Sequence, residues 1–473
     1  MLRNHPNWYW PSLVPIASGL CWLQAGASHG FGILLALFPG LVHAAAGVGF
    51  LLWPGDRRMP QALAASCFIG ALLALAAFPL YGWQWGLALT LLNIACYFVA
   101  GYAALFHEPV QAGLEPPHVT FSMAAKVALD DALLGYFVLT ARQPGAAQLR
   151  AMAEECHQLR DLYREGDLRS FHPAPQLPKD LLIRPRSVLG LRYEHLRCES
   201  AYEPAVTTPG GERWQTQERN RRCHAWMLRH PGAPRPWLVC IHGYRMGMPL
   251  LDFRLFDPRW LHMKLGLNLL LPVLPLHGPR RAGLRSGDGY MDGDLSNLLH
   301  AETQAMLDIR SLIRWLRESE QASTVGVLGY SLGGYNAALL ASLEEDLACV
   351  IAGIPMADAI STLWHHMPLL QLRQLTSLGL VEDSVREALR VISPLSAPPL
   401  TPRRYIFAGL ADRLIPSAQV QLLARHWGVT DVAWYQGTHL SFRGNGAVSA
   451  LIRRGLREGG LIAESAKLGL HPA

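Results

Sequence analysis

The sequence predicts an α/β domain on a mostly parallel sheet, preceded by an N-terminal segment of membrane-spanning helices. Three observations point there. Charged residues nearly vanish from the first 112 positions. The later part alternates short apolar runs with amphipathic stretches, the pattern of strands covered by helices. A Gly-x-Ser-x-Gly pentapeptide sits between one of those runs and the helical stretch after it.

Charged side chains make up 16% of the 473 residues, yet residues 1–112 hold five: Arg3, Asp56, Arg57, Arg58 and Glu108. About 20 apolar residues cross the hydrocarbon core as a helix. The runs 31–53, 61–80 and 86–106 meet that length. A fourth run, 12–24, is shorter and contains Pro15, so spanning and re-entrant readings both stay open. Trp8, Tyr9, Trp10, Trp53, Tyr81, Trp83 and Trp85 stand at the ends of these runs, where aromatic rings favour the headgroup level. Arg57 and Arg58 lie between two spans, and basic loops stay on the cytoplasmic side. The rest of the chain, two spans later, is therefore expected in the cytoplasm, on a multi-pass membrane protein. His29 and His43 have no acidic partner in the runs and read as packing residues, not as a transport path.

Residues 113–185 read as a connector. Leu149, Met152, Cys156, Leu159 and Leu162 recur every three or four positions, which predicts a helix with one buried stripe. The run 171–178, rich in proline, reads as an extended linker. Residues 186–473 form the α/β domain. The net charge of +6 comes without an RNP, zinc-knuckle or helix-turn-helix pattern, so nucleic acid is not an expected partner. A basic surface suits anionic lipid headgroups better. Eight cysteines without a C-x-x-C pair suggest a reducing compartment, with a Cys198–Cys223 pair left open.

Within the α/β domain, 237–241 is an apolar strand ending at His242-Gly243, 267–274 is another, and 296–317 has helical spacing. Val325 to Leu328 is a buried strand, followed at once by Gly329-Tyr330-Ser331-Leu332-Gly333. Side chains at the flanking positions of so tight a strand-to-helix turn would clash, hence Gly329 and Gly333. The turn presents the Ser331 hydroxyl as a nucleophile. A serine nucleophile needs a base, and the base needs an orienting acid. Asp412 follows the strand 404–409, and His439 follows the short strand 432–435. Asp358, after the strand 349–354, is the competing acid. The oxyanion would be held by the backbone N–H of Leu332 and of Tyr244, the latter chosen over Gly243.

The order Ser331, Asp412, His439, with the stretches 192–196, 236–243 and 274–280, resembles the α/β-hydrolase superfamily, in a bacterial, membrane-anchored branch. The resemblance covers residues 185–460. It implies an eight-stranded, mostly parallel sheet with helices on both faces and these three residues as a catalytic triad at its C-terminal edge. The activity expected is cleavage of carboxylic (acyl) esters, lipids among them, through an acyl-enzyme intermediate. Acyl transfer, peptidase activity and a non-catalytic membrane scaffold are the alternatives. Residues 356–400, rich in leucine, would form a helical lid, with His365 and His366 on its solvent side. Arg280, Arg281 and Arg285 with Asp288, Asp292 and Asp294 read as mutual surface ion pairs. No cofactor or metal is expected; the partners are an ester substrate and the bilayer, with the spans serving as an anchor.

Overall fold

The computed structural model describes residues 9–107, 109–142, 144–164, 167–292 and 294–463; Trp8 lies outside them. The chain forms two compact units. A helical unit comprises the chain up to Thr140 together with Gly409–Ser417 and Trp434–Arg443. A sheet unit comprises the remainder.

The helical unit begins with α1 (Tyr9–Ala27), α2 (Ile33–Leu52), α3 (Arg58–Tyr81), α4 (Trp83–His107) and α5 (Phe121–Thr140). Three of its helical stretches, 30–52, 58–81 and 83–106, are long and apolar enough to cross a membrane. Pro15 lies inside the 19-residue α1, which packs on α2. Small residues allow that approach: a Cβ on Gly19 would stand 2.5 Å from the Gly40 carbonyl oxygen, and one on Gly47 2.8 Å from that of Ser12. His43 is buried with Nδ1 2.9 Å from Ser18 Oγ, and His29 Nδ1 lies 2.7 Å from the Ala25 carbonyl. Leu34, Leu72, Leu75 and Leu91 are exposed on these helices. Helix α5 packs on α3 and α4. Its contact with α4 is so close that a Cβ on Gly101 would come within 1.8 Å of the Ala124 carbonyl oxygen.

The sheet unit continues with α6 (Ala146–Leu162), α7 (Leu168–Phe171), β1 (Leu182–Val188), β2 (Leu191–Glu199), α8 (Gly211–Gln215), β3 (Arg222–Leu228), β4 (Trp237–Ile241) and α9 (Pro249–Phe256). Then follow β5 (Asn268–Pro272), α10 (Leu295–Glu318), β6 (Val325–Tyr330), α11 (Leu332–Ala341), β7 (Val350–Gly353), α12 (Ala359–His366), α13 (Leu369–Ser377) and α14 (Glu382–Ala388). The last elements of the chain are β8 (Arg404–Gly409), α15 (Ser417–Trp427), β9 (Ala433–Tyr435, most of which is counted with the helical unit) and α16 (Gly446–Glu458). In α6, Leu149, Met152, Cys156 and Leu159 are buried, while Leu162 in the last turn is exposed.

The sheet has nine strands in the order β1-β2-β3-β5-β4-β6-β7-β8-β9. Strands β5, β4, β6, β7 and β8 pair in parallel, whereas β1, β2, β3 and β5 pair antiparallel. The expectation of eight strands missed β1. That strand carries few apolar residues and is mostly exposed, and Pro185 is tolerated because the strand lies at the sheet's edge. The turn Leu189-Gly190, with φ of 45° and 80°, closes the β1–β2 hairpin. Strands β4, β5, β6 and β7 are buried at every position. Such continuous apolar runs are what a parallel sheet covered on both faces requires.

Candidate active site

Ser331 occupies the junction between β6 and α11, with φ 57° and ψ −117°. A non-glycine residue in that region is strained, and such strain concentrates at functional sites. The two glycines permit the turn. A Cβ on Gly329 would lie 2.0 Å from the Gly333 carbonyl oxygen, and one on Gly333 1.9 Å from that of Ile241. The Ser331 N–H donates to the Gly353 carbonyl at 3.0 Å, so β7 holds the turn from the side. Leu332 is the first residue of α11, and the N–H there has no acceptor within its own helix.

The loop after β4 lies beside this turn: a Cβ on Gly243 would be 3.6 Å from that of Ser331. His242 holds the loop. Its Nε2 accepts the Leu274 N–H at 3.1 Å, which leaves the proton on Nδ1, 2.8 Å from the Gly243 carbonyl. Burial pushes the imidazole's pKa down, and the neutral ring serves as a strut. Tyr244 donates its hydroxyl to Asp292 Oδ1 at 3.1 Å and stacks edge-on against His277.

Strands β8 and β9 give way to the loops that carry Asp412 and His439, both in the helical unit. His439 Nδ1 lies 2.7 Å from Asp412 Oδ2, with both side chains buried. Asp412 Oδ1 accepts the N–H groups of Leu414 and Ile415 at 2.9 and 2.8 Å, which fixes the carboxylate. An ionised carboxylate can only accept, so Nδ1 carries the proton and Nε2 keeps its lone pair. Burial alone would lower the His439 pKa; the charge of Asp412, its hydrogen bond and the charge of Asp130 outweigh that, and the net effect is a raised value. Asp358 is engaged otherwise. It caps α12 through the Ser361 N–H and pairs with Arg386 Nε at 2.6 Å.

Two acids escaped the sequence reading. Asp130 and Asp131 of α5 are fully buried. Asp130 Oδ2 accepts the backbone N–H of His439 at 2.8 Å and that of Arg413 at 3.4 Å. Asp131 Oδ1 pairs with Arg413 Nε at 3.1 Å. The available signal was a pair of adjacent aspartates in a largely apolar helical run whose one other charged residue is Lys126, since unpaired carboxylates are rarely buried.

One further expectation needs correction. Arg280 is not a surface residue. It is fully buried and pairs with Asp308 at 2.8 Å, while also donating to the Val273 and Asn220 carbonyls. Its two terminal nitrogens are matched in this way, which offsets much of the cost of burying the charge. Asp288 pairs with Arg245, Asp292 takes the Tyr244 hydroxyl, and Asp294 caps α10.

The sheet order with the elbow at Ser331 decides the architecture. This is an α/β-hydrolase fold. No family model matches the chain. It is similar to the uncharacterized proteins MT2702 and Rv2627c of Mycobacterium tuberculosis (strains CDC 1551 and H37Rv), at 43% identity over 267 residues. That match takes in 56% of this chain, and the chain spans 64% of the length of those relatives. Among solved structures, an acetyl xylan esterase from Paenibacillus sp. R4 superposes with a TM-score of 0.44 at 17% identity, over 61% of this chain and 97% of that one. Acetyl xylan esterase 1 from Thermoanaerobacterium sp. JW/SL YS485 gives 0.43 at 17% identity, over 67% and 100%.

Proposed function

We propose that this chain is a membrane-anchored serine hydrolase that cleaves carboxylic (acyl) esters, including those of lipids, through an acyl-enzyme intermediate. The observation that carries the reading is the strained backbone of Ser331 at the β6–α11 turn. Ser331 Oγ attacks the ester carbonyl carbon while its proton passes to His439 Nε2. Asp412 keeps the Nδ1 proton in place and stabilises the imidazolium that results. The tetrahedral oxyanion takes hydrogen bonds from the N–H groups of Leu332 and Tyr244. Collapse expels the alcohol, which leaves with the proton from His439, and Ser331 is acylated. Water, deprotonated by the same imidazole, then attacks the acyl carbon and releases the carboxylic acid and free Ser331.

Asp412 is the acid in this reading because it meets an imidazole, whereas Asp358 is spent on a helix cap and an arginine. Apolar, lipid-type substrates are supported by the spanning helices and by exposed Leu369 and Leu370 on α13, in the segment assigned as the lid. Arg57, at the N-terminal cap of α3, and Arg58, its first residue, orient the sheet unit toward the cytoplasm of a bacterial inner membrane. The reading is tested with a fluorophosphonate probe on the full chain in detergent. Wild type should be labelled, and Ser331→Ala should lose the label while its unfolding temperature stays the same. Equal labelling of the variant would refute Ser331 as nucleophile.

A further inference from the structure

Asp412 and His439 are held within the helical unit by more than their own bond. Asp130 Oδ2, on α5, receives N–H groups from both loops at once, His439 at 2.8 Å and Arg413 at 3.4 Å. Beside it, Asp131 holds the Arg413 side chain in a pair whose members are almost wholly buried. Ala411 is packed among Ala104, Leu105, Met123, Ala124 and Val127 of α4 and α5. Ahead of α5, the His118 N–H donates to Gln436 Oε1 at 2.9 Å, three residues before His439. Every one of these tethers lies inside the helical unit.

We propose that Asp130 is a positioning residue for His439, so that α5 belongs to the catalytic machinery rather than to an anchor. The proposal rests on the serine hydrolase reading. A neutral side chain such as Asn could accept the same N–H bonds without the penalty of burying a charge. What the carboxylate adds is negative charge near an imidazole that becomes cationic in each transition state. Burial, and after it the charge of Asp412, raises the Asp130 carboxyl, while His439 and the two N–H donors pull against them, for a net value of about 7, so that a cationic imidazole at His439 favours the ionised carboxylate. The groups that face it are Asp412, Arg413 and His439 of the loops, Tyr435 at the end of β9 and Tyr97 of α4, with Asp131 turned to Arg413 on its own helix. The ring's position is thereby tied to its protonation. Asp130 acts through His439 and does not touch the reacting atoms.

The test uses the full chain in detergent with p-nitrophenyl acetate and the fluorophosphonate probe, comparing wild type, Asp130→Ala and Asp130→Asn. In Asp130→Ala the loop loses its acceptor, and kcat and the labelling rate of Ser331 should fall about a hundredfold, as a small misplacement of a catalytic group does, with KM little changed. Asp130→Asn keeps an acceptor and should recover part of kcat. Its acid limb in kcat/KM should move to lower pH, because the charge that favours the imidazolium is gone. A folded Asp130→Ala with wild-type kcat and labelling rate would overturn the proposal alone. If Asp130→Ala does not fold, Asp130→Asn decides, and an unmoved acid limb overturns it. A wild-type chain that is not labelled at Ser331 would overturn the hydrolase reading and this proposal with it.

Discussion

Asp412 Oδ2 and His439 Nδ1 lie 2.7 Å apart, and the other carboxylate oxygen of Asp412 is held by two backbone N–H groups. Replacing Asp412 by Asn keeps the shape but presents a donor where an acceptor is needed, which favours the wrong imidazole tautomer. Turnover should fall about 10⁴-fold, the scale of the analogous protease substitution. Asp358→Asn should cost far less turnover, and at most about 1 kcal/mol of stability through the weakened cap of α12. The reverse ranking in steady-state assays would transfer the acid role to Asp358.

The pH profile follows from the raised His439 pKa. A general base must be neutral, so activity is lost as pH falls through that value. Because Asp412 and Asp130 favour the imidazolium, the acid limb of kcat/KM should have its midpoint above the ordinary imidazole value of 6.5. A midpoint below 6.5 in wild type would contradict the electrostatics described.

Glu302, buried beneath α11 beside Asn336, makes a prediction for stability. Burial raises its carboxyl from 4.5 to about 8. Between those values the folded state binds more protons than the unfolded one, so this group's stabilising contribution declines as pH rises from about 4.5 to about 8. Glu302→Gln cannot ionise and should flatten the dependence of unfolding temperature on pH across that interval. An unchanged slope would exclude Glu302 as its source.

Topology is checked by a cysteine at Val206, which is fully exposed in the sheet unit. Seven of the native cysteines are buried and Cys21 is half-buried, so background labelling should be low. Val206→Cys should resist a membrane-impermeant thiol reagent in intact cells and react after permeabilisation. Equal labelling before and after would invert the orientation.

Deleting residues 1–112 removes α3 and α4, against which α5 packs. If these helices were only an anchor, hydrolysis of short soluble esters would survive. The burial of Ala411 against Ala104 and Leu105, and the hold of Asp130 on His439, lead us to expect that both soluble and bilayer-embedded esters are lost. Retained activity on the soluble ester would show that α5 can support the loops by itself.

Local chemistry carried much of this protein in the sequence alone. Helices long and apolar enough to cross a membrane are legible because that takes about 20 residues nearly free of charge, a property of contiguous chain. The turn at Ser331 is legible because the clash that demands Gly329 arises within the pentapeptide, at the Gly333 carbonyl, although Gly333 itself is demanded by Ile241 at the end of β4. Asp412 and His439 could be singled out as loop residues after strands. Their bond, and the diversion of Asp358 to Arg386, could not, because these depend on which loops meet. Strand β1 was invisible, since an exposed edge strand needs no apolar pattern. Asp130 shows the limit most clearly. It lies 309 residues from His439, and in sequence it is one of two adjacent aspartates in a largely apolar helix. Only tertiary packing, which lets α5 approach α4 at Gly101 and buries Ala411 against both, turns that aspartate into the acceptor for the His439 backbone.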